Sequence, residues 1–252
     1  MTDPTLRFSS RVENYLRYRP NYPAAVVGLL VTDCGLGPES VIADVGSGTG
    51  ILAQLFLAHG NPVFGIEPNR EMRQAGERLL QSFPRFASIA GTAEATTLPD
   101  RSVDFVTAGQ AFHWFDRDLC RAEFSRILRP GGWIVLLWND RRTDATPFLR
   151  AYEQLLLSYA TDYEQVNHKR VDAAVLREFF KANPVKKLLS NYQHFDLPSL
   201  NGRLLSSSYA PEAGQPRHAD MMAALKQLFE RYQHEGRVTF EYETVIYYGQ
   251  LG

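Results

Sequence analysis

Between about residues 40 and 140, short apolar runs alternate with amphipathic stretches, which predicts a parallel sheet crossed by helices. The expected strands are 41–45, 63–66, 86–90, 103–108 and 133–138, mostly unbroken apolar runs of the kind that both faces of a buried sheet require. Helices are expected at 51–59, ended by Gly60, at 69–81, opened by the capping residue Asn69, and at 117–128, capped by Asp116 and stopped by Arg129-Pro130-Gly131-Gly132. Beyond Trp138 the rhythm changes. Two helical patterns (146–159 and 171–182) lead to a strand-like run over 185–197. Met221, Met222, Leu225, Leu228, Phe229 and Tyr232 then fall on one helical face ending at Gly236. The run 238–248 is rich in β-branched and aromatic residues and predicts a last strand.

This pattern is read as a single α/β domain. It is a Rossmann-like, seven-stranded, mostly parallel sheet with an antiparallel C-terminal hairpin, a helical N-terminal cap and a helical insertion after strand five. The expected divisions are a cap over 1–39, a cofactor-binding core over 40–139, a helical lid carrying strand six over 140–235, and the final strand over 236–252.

Composition adds exclusions. A net charge of −1 over 252 residues lacks the basic footprint of a nucleic-acid binder. Cys34 and Cys120 stand far apart without metal-type spacing, so neither a metal nor a disulfide framework is expected. The first residues are polar and mixed in charge, unlike a secretory leader, and the longest apolar run, 24–31, is too short to span a bilayer. A cytoplasmic protein with a small-molecule substrate and no nucleic-acid or membrane partner, monomeric or homodimeric, is the expectation.

The chemistry concentrates in Val41-Ile-Ala-Asp-Val-Gly-Ser-Gly-Thr-Gly50, where a strand runs into Asp44 and three glycines and then opens a helix. Such a turn lets a ligand approach the main chain closely. About twenty residues on, Glu67 stands at the tip of the next strand, where a carboxylate accepts from both hydroxyls of a ribose. The third glycine is one position early for a dinucleotide fingerprint, and no lysine stands in the turn for a phosphate loop. The ligand read from this spacing is a nucleoside without a pyrophosphate, of which S-adenosylmethionine is the obvious member.

In order, DVGSGTG, GIEPN, GTAEATTLPDRSVDFV, QAFHWFD and RILRPGGW resemble the landmarks of class I S-adenosylmethionine-dependent methyltransferases, most closely the branch with trans-aconitate and ubiquinone-type enzymes. The resemblance is strong over 40–139 and weaker in the N-terminal segment and the last strand. It implies that Asp44, Gly46, Ser47, Gly48 and the surrounding main chain face the methionine and ribose of the cofactor. Glu67 would hold the ribose, Pro68 would flank the adenine, and Ala93 and Glu94 would line it. Gln110 and Ala111, with the segment to His113, would lie beneath the sulfonium. Arg19 would pair with the cofactor carboxylate, with Tyr22, Tyr15 or Tyr18 closing over it. Each role has a rival: Asp44 also suits ordering the turn, Glu94 a helix cap, Arg19 a solvated face and His113 packing rather than a general base.

The reaction expected is methylation of a small acceptor, most simply an oxygen of an acidic metabolite clamped by Arg141 and Arg142. The alternatives are C- or N-methylation of a quinone-like molecule, or a nucleoside-binding protein without catalysis. A base methylase is disfavoured because Gln110-Ala-Phe-His113 stands where an Asn/Asp-Pro-Pro-aromatic motif would.

Overall fold

The computed structural model describes residues 12–161, 163 and 171–252, with the side chains of Val12, Glu13 and Tyr15 also outside the description. Its strands are β1 (Ile42–Val45), β2 (Val63–Ile66), β3 (Phe86–Ile89), β4 (Val103–Gly109), β5 (Leu128–Arg141), β6 (Val185–Phe195) and β7 (Val238–Gly249). They form one sheet in the order β3-β2-β1-β4-β5-β7-β6. The first five pair in parallel, and β7 runs antiparallel to both β5 and β6.

Alternate residues of each buried strand point to opposite faces. Ala43, Val45, Ile134, Leu136 and Trp138 pack on one side with Phe112 and with Phe124 and Ile127 of α5 (Arg117–Ile127). The same cluster takes Leu176, Phe179 and Phe180 of α7 (Ala173–Phe180). Ile42, Val135 and Leu137 pack on the other side with α2 (Ala25–Cys34) and α3 (Ile51–His59) through Val26, Leu30, Leu52 and Phe56. Four buried strand residues in a row, as in β1, leave no face to solvent. That is why this part of the sheet is legible as apolar runs.

A third cluster stands apart from the sheet's two faces. It joins α6 (Pro147–Tyr159), α8 (Leu197–Leu205) and α9 (His218–Tyr232) through Phe148, Tyr152, Leu200, Leu204, Met221 and Leu225, against Phe240 and Tyr242 at the start of β7. The segment 140–235 therefore divides. Helix α7 returns beneath the sheet beside α5, whereas α6, α8 and α9 form the separate layer. Helices α8 and α9 enter between β6 and β7, in addition to the insertion after β5.

The short helix α1 (Val12–Tyr18) lies against α8. Gly202 makes that approach possible, since a Cβ there would overlap the ring of Tyr18. Strand β5 starts earlier than the expected 133 because Leu128 already pairs with Val103; the ladder then skips, and Trp133 pairs with Phe105. Arg129 to Gly131 stay exposed in that irregularity, with Gly131 at φ 79°. No helix among the described residues is long and apolar enough to cross a membrane.

Candidate active site

In the order β3-β2-β1-β4, the connections leave β1 in opposite directions, which opens a crevice beyond the carboxyl ends of β1 and β4. The glycine turn after β1 and the segment Gln110 to Phe115 after β4 meet there. Gly46 requires its missing side chain twice over: its φ is 66°, and a Cβ would come 2.6 Å from Cβ of Ala111. The amides of Gly46 and Ser47 donate to the Ile66 carbonyl at 2.9 and 3.0 Å, fixing the turn to the end of β2.

Glu67 follows that strand. Its two carboxylate oxygens accept from the amides of Gly48 (2.9 Å) and Asn69 (2.8 Å), and the residue is only 9% exposed. Burial pushes the Glu67 carboxyl above its ordinary range, and the two amides with nearby Arg73 pull it back part of the way. Each carboxylate oxygen has two acceptor sites, so one amide apiece leaves room for one hydroxyl apiece. A vicinal diol fits that remainder.

Two cavities adjoin the turn and share Gly46, Gly48, Gly109 and Gln110. The larger, about 220 Å³, is lined by Glu67, Pro68, Ala93, Glu94, Ala111 and Trp114, among others. Its wall is largely apolar around one carboxylate, which suits a heterocycle joined to a ribose. Glu94 is committed in part, since its Oε1 accepts the Asp116 amide at 2.9 Å, at the cap of α5. The smaller cavity, about 60 Å³, is polar. Arg19, Tyr22, Asp44, Ser47, Gln110, Asn139 and Arg203 all face it.

Asp44 is buried beneath the turn. It accepts from the Thr107 hydroxyl at 2.9 Å through Oδ1, while Oδ2 has no hydrogen-bond partner among the described residues. Burial raises its carboxyl from 3.8 to about 7, against the Thr107 hydroxyl and the Ala53 amide, with the charge of Glu67 adding to the rise. Arg19 donates to the Ser206 carbonyl at 3.0 Å, joining the N-terminal segment to the end of α8. Gln110 holds φ 58°, a left-handed conformation that costs a residue with a side chain about 1 kcal/mol or more. Its Nε2 donates to the Asn139 carbonyl at 3.2 Å.

The Asn139 side chain binds four segments together. Nδ2 donates to the carbonyls of Pro20 and Asn21, both at 3.4 Å, and Oδ1 accepts from Thr244 (2.6 Å) and Asn191 (3.2 Å).

Every expected cofactor residue thus borders one cavity or both. Arg19, Asp44 and Ser47 face the polar one, Glu67, Pro68, Ala93, Glu94 and Ala111 the larger, and Gly46, Gly48 and Gln110 both. His113 borders neither: it sits half-buried in a single 3-10 turn beside Trp114, with ring centroids 4.8 Å apart. Of the tyrosines, Tyr22 faces the polar cavity, Tyr18 packs on Gly202, and the side chain of Tyr15 lies outside the described residues. The expected clamp of Arg141 and Arg142 is corrected. Arg141 pairs with Glu153 at 2.5 Å inside the lid cluster and stacks over Tyr152, and Arg142 faces Glu241 at 3.7 Å. Neither borders either of these two cavities. Arg203 was not anticipated from the sequence.

A methyltransferase-domain model matches residues 43–136. A methyltransferase of Mycobacterium bovis is 37% identical over 139 residues, which span 55% of this chain and 54% of that protein. The chain therefore covers about half the length of that relative. A methyltransferase of Schizosaccharomyces pombe is 28% identical over 246 residues, 95% of each chain. Among solved structures, one from Anaeromyxobacter dehalogenans assigned as a type II methyltransferase superposes with a TM-score of 0.69 at 22% identity, covering 93% of this chain and 98% of that one. A geranyl diphosphate methyltransferase in complex with S-adenosylmethionine has a TM-score of 0.50 at 17% identity, covering 91% and 85%. The finer likeness to the trans-aconitate branch is not carried by these relatives. Residues 43–136 match the methyltransferase-domain model, and the fold that holds them is shared with solved methyltransferase structures.

Proposed function

We propose that this protein binds S-adenosylmethionine and transfers its methyl group to a small molecule, most simply to an oxygen of an acidic metabolite. The observation that carries the reading is Glu67, held by the Gly48 and Asn69 amides at the wall of a 220 Å³ cavity with an acceptor site left on each oxygen. Glu67 would take the two ribose hydroxyls, and Pro68, Ala93, Ala111 and Trp114 would enclose the adenine. In the polar cavity, Asp44 suits the ammonium of the methionine part and Arg19 its carboxylate, as opposite charges in a confined space require.

The cofactor supplies a methyl group on a positively charged sulfur: the acceptor's electron pair forms the new bond as the carbon–sulfur bond breaks, leaving a neutral thioether. The chain's part is then alignment and the exclusion of water. Gln110, held in its left-handed conformation, borders both cavities, and Asn139 and Tyr22 border the smaller one. A carboxylate acceptor needs no base, so the position of His113 outside both cavities costs this scheme nothing.

Calorimetric titration with S-adenosylmethionine and S-adenosylhomocysteine tests the reading. Wild-type protein is expected to saturate with both, and Glu67→Ala to weaken binding tenfold or more, since hydrogen bonds to a charged group contribute about 1.5–3 kcal/mol. Wild-type protein that binds neither nucleoside rules the reading out.

A further inference from the structure

Arg203, in the last turn of α8, is 6% exposed and borders the polar cavity. Two of its nitrogens are committed to neutral partners. Nη1 donates to the Ser207 hydroxyl at 3.1 Å, and Nε lies 3.4 Å from the Tyr242 hydroxyl, while the guanidinium carbon stands 5.9 Å from the centre of the Phe240 ring. Nη2 donates to no described residue, and no carboxylate among the described residues pairs with this side chain. An arginine does not escape burial by losing its proton. A buried guanidinium without a counter-charge is among the costlier arrangements in a folded protein.

The neighbouring buried arginine shows the contrast. Arg141 lies in the same lid cluster, and there Glu153 supplies the missing charge. Tyr242 in turn donates to Gln193 at 2.9 Å, so the hydroxyl beneath Arg203 is oriented rather than loose. The side chain is thus held by neutral groups, with Nη2 committed to no described residue and the guanidinium at a cavity wall.

We propose that Arg203 is the subsite for an anionic group, a carboxylate, on the methyl acceptor. The inference rests on the methyltransferase reading. The cofactor brings one carboxylate, and Arg19, on the N-terminal segment and bonded to the Ser206 carbonyl at the end of α8, borders the same cavity and is placed to take it. The cofactor's sulfonium and ammonium add further positive charge to a cavity where Asp44 is the only acidic lining residue among the described residues. A neutral acceptor would leave Arg203 uncompensated, whereas a carboxylate would complete it and meet a guanidinium's planar donors.

The probes are succinate and benzoate, each beside its neutral amide, titrated calorimetrically into protein saturated with S-adenosylhomocysteine at fixed ionic strength. At least one acid is expected to bind tenfold or more tightly than its amide. Arg203→Gln should abolish that preference while leaving affinity for S-adenosylhomocysteine within about twofold. Arg203→Lys should recover only part of it, because a point charge lacks the planar pair of donors. The acid-over-amide comparison on wild-type protein needs no variant, so a misfolded Arg203→Gln does not rescue the idea.

Equal binding of acids and amides, or of neither, overturns the acceptor subsite alone. Loss of S-adenosylhomocysteine affinity in a folded Arg203→Gln also overturns it, by giving Arg203 to the cofactor. Wild-type protein that fails to bind S-adenosylhomocysteine overturns the methyltransferase reading, and this proposal with it.

Discussion

At the scale of single residues, Asp44 couples the site to pH. Its carboxyl titrates near 3.8 in an open chain and about 7 in the folded protein. Between those values the folded state keeps a proton that the unfolded chain has released. Stability therefore falls as pH rises from about 4 to about 7 and levels off above, because burial penalises the charged form. Urea unfolding of wild type and Asp44→Asn from pH 5 to 8 should show the wild type losing ground to the variant across that window. Parallel curves would mean that Asp44 is already ionised in the folded state. The same proton sets the direction for the cofactor: an ammonium beside Asp44 favours the carboxylate, so binding should tighten as pH rises through about 7. Calorimetry in buffers of different ionisation enthalpy would detect the released proton.

The elements carry a second prediction, on how the cap is held. Helix α1 reaches α8 only because Gly202 has no side chain, and Tyr18 fills the space. Gly202→Ala should push α1 away and move Arg19, which follows Tyr18 directly. Affinity for S-adenosylhomocysteine should then drop severalfold, with far-UV circular dichroism nearly unchanged because the sheet is untouched. Adding Tyr18→Ala should restore part of the affinity. A double variant no better than the single one would separate the cap from the cofactor.

Much of this level was legible in the sequence. Strands β1, β2 and β4 read as apolar runs because both faces are covered, and Asn69 and Asp116 cap α4 (Arg70–Leu80) and α5 with the side-chain bonds expected of them. Strand β5 was read five residues late, because Pro130 and the two glycines signal a stop that tertiary pairing overrides. Helix α8 was passed over, although Asp196 followed by Pro198 is a helix-start signal and Asp196 does cap it. Leu200 and Leu204 mark its buried face. With α8 unread, Arg203 had no address. Its isolation depends on Tyr242 and Ser207 and on the absence of an acid nearby, and no local pattern encodes that. The glycine turn and Glu67 could be recognised because their chemistry depends on short spacings at strand ends; Arg141 could be misassigned because its partner, Glu153, lies a helix away.

Across the whole molecule, the candidate site is a seam. The turn after β1 and Gln110 after β4 belong to the sheet, Arg19 and Tyr22 to the N-terminal segment, and Arg203 to the separate helical layer. Asn139 of β5 fastens Asn191 of β6 and Thr244 of β7 to Pro20 and Asn21. A ligand filling both cavities would therefore add contacts between layers that already meet at Phe240 and Tyr242 and at Gly202. At one hundred times its dissociation constant it should add about 2.7 kcal/mol to stability, a rise of roughly 5–10 °C in Tm for a chain of this size. Where the protection appears distinguishes a seam from a pocket in the sheet. With S-adenosylhomocysteine bound, hydrogen exchange should slow at residues 12–22 as well as at 43–50 and 67–69, and α7, beneath the sheet, should gain only what the whole molecule gains. Slowing confined to the sheet residues would leave the N-terminal segment outside the site, and Arg19 with it. The cofactor carboxylate would then need another partner, and Arg203 is the cation that the polar cavity would offer.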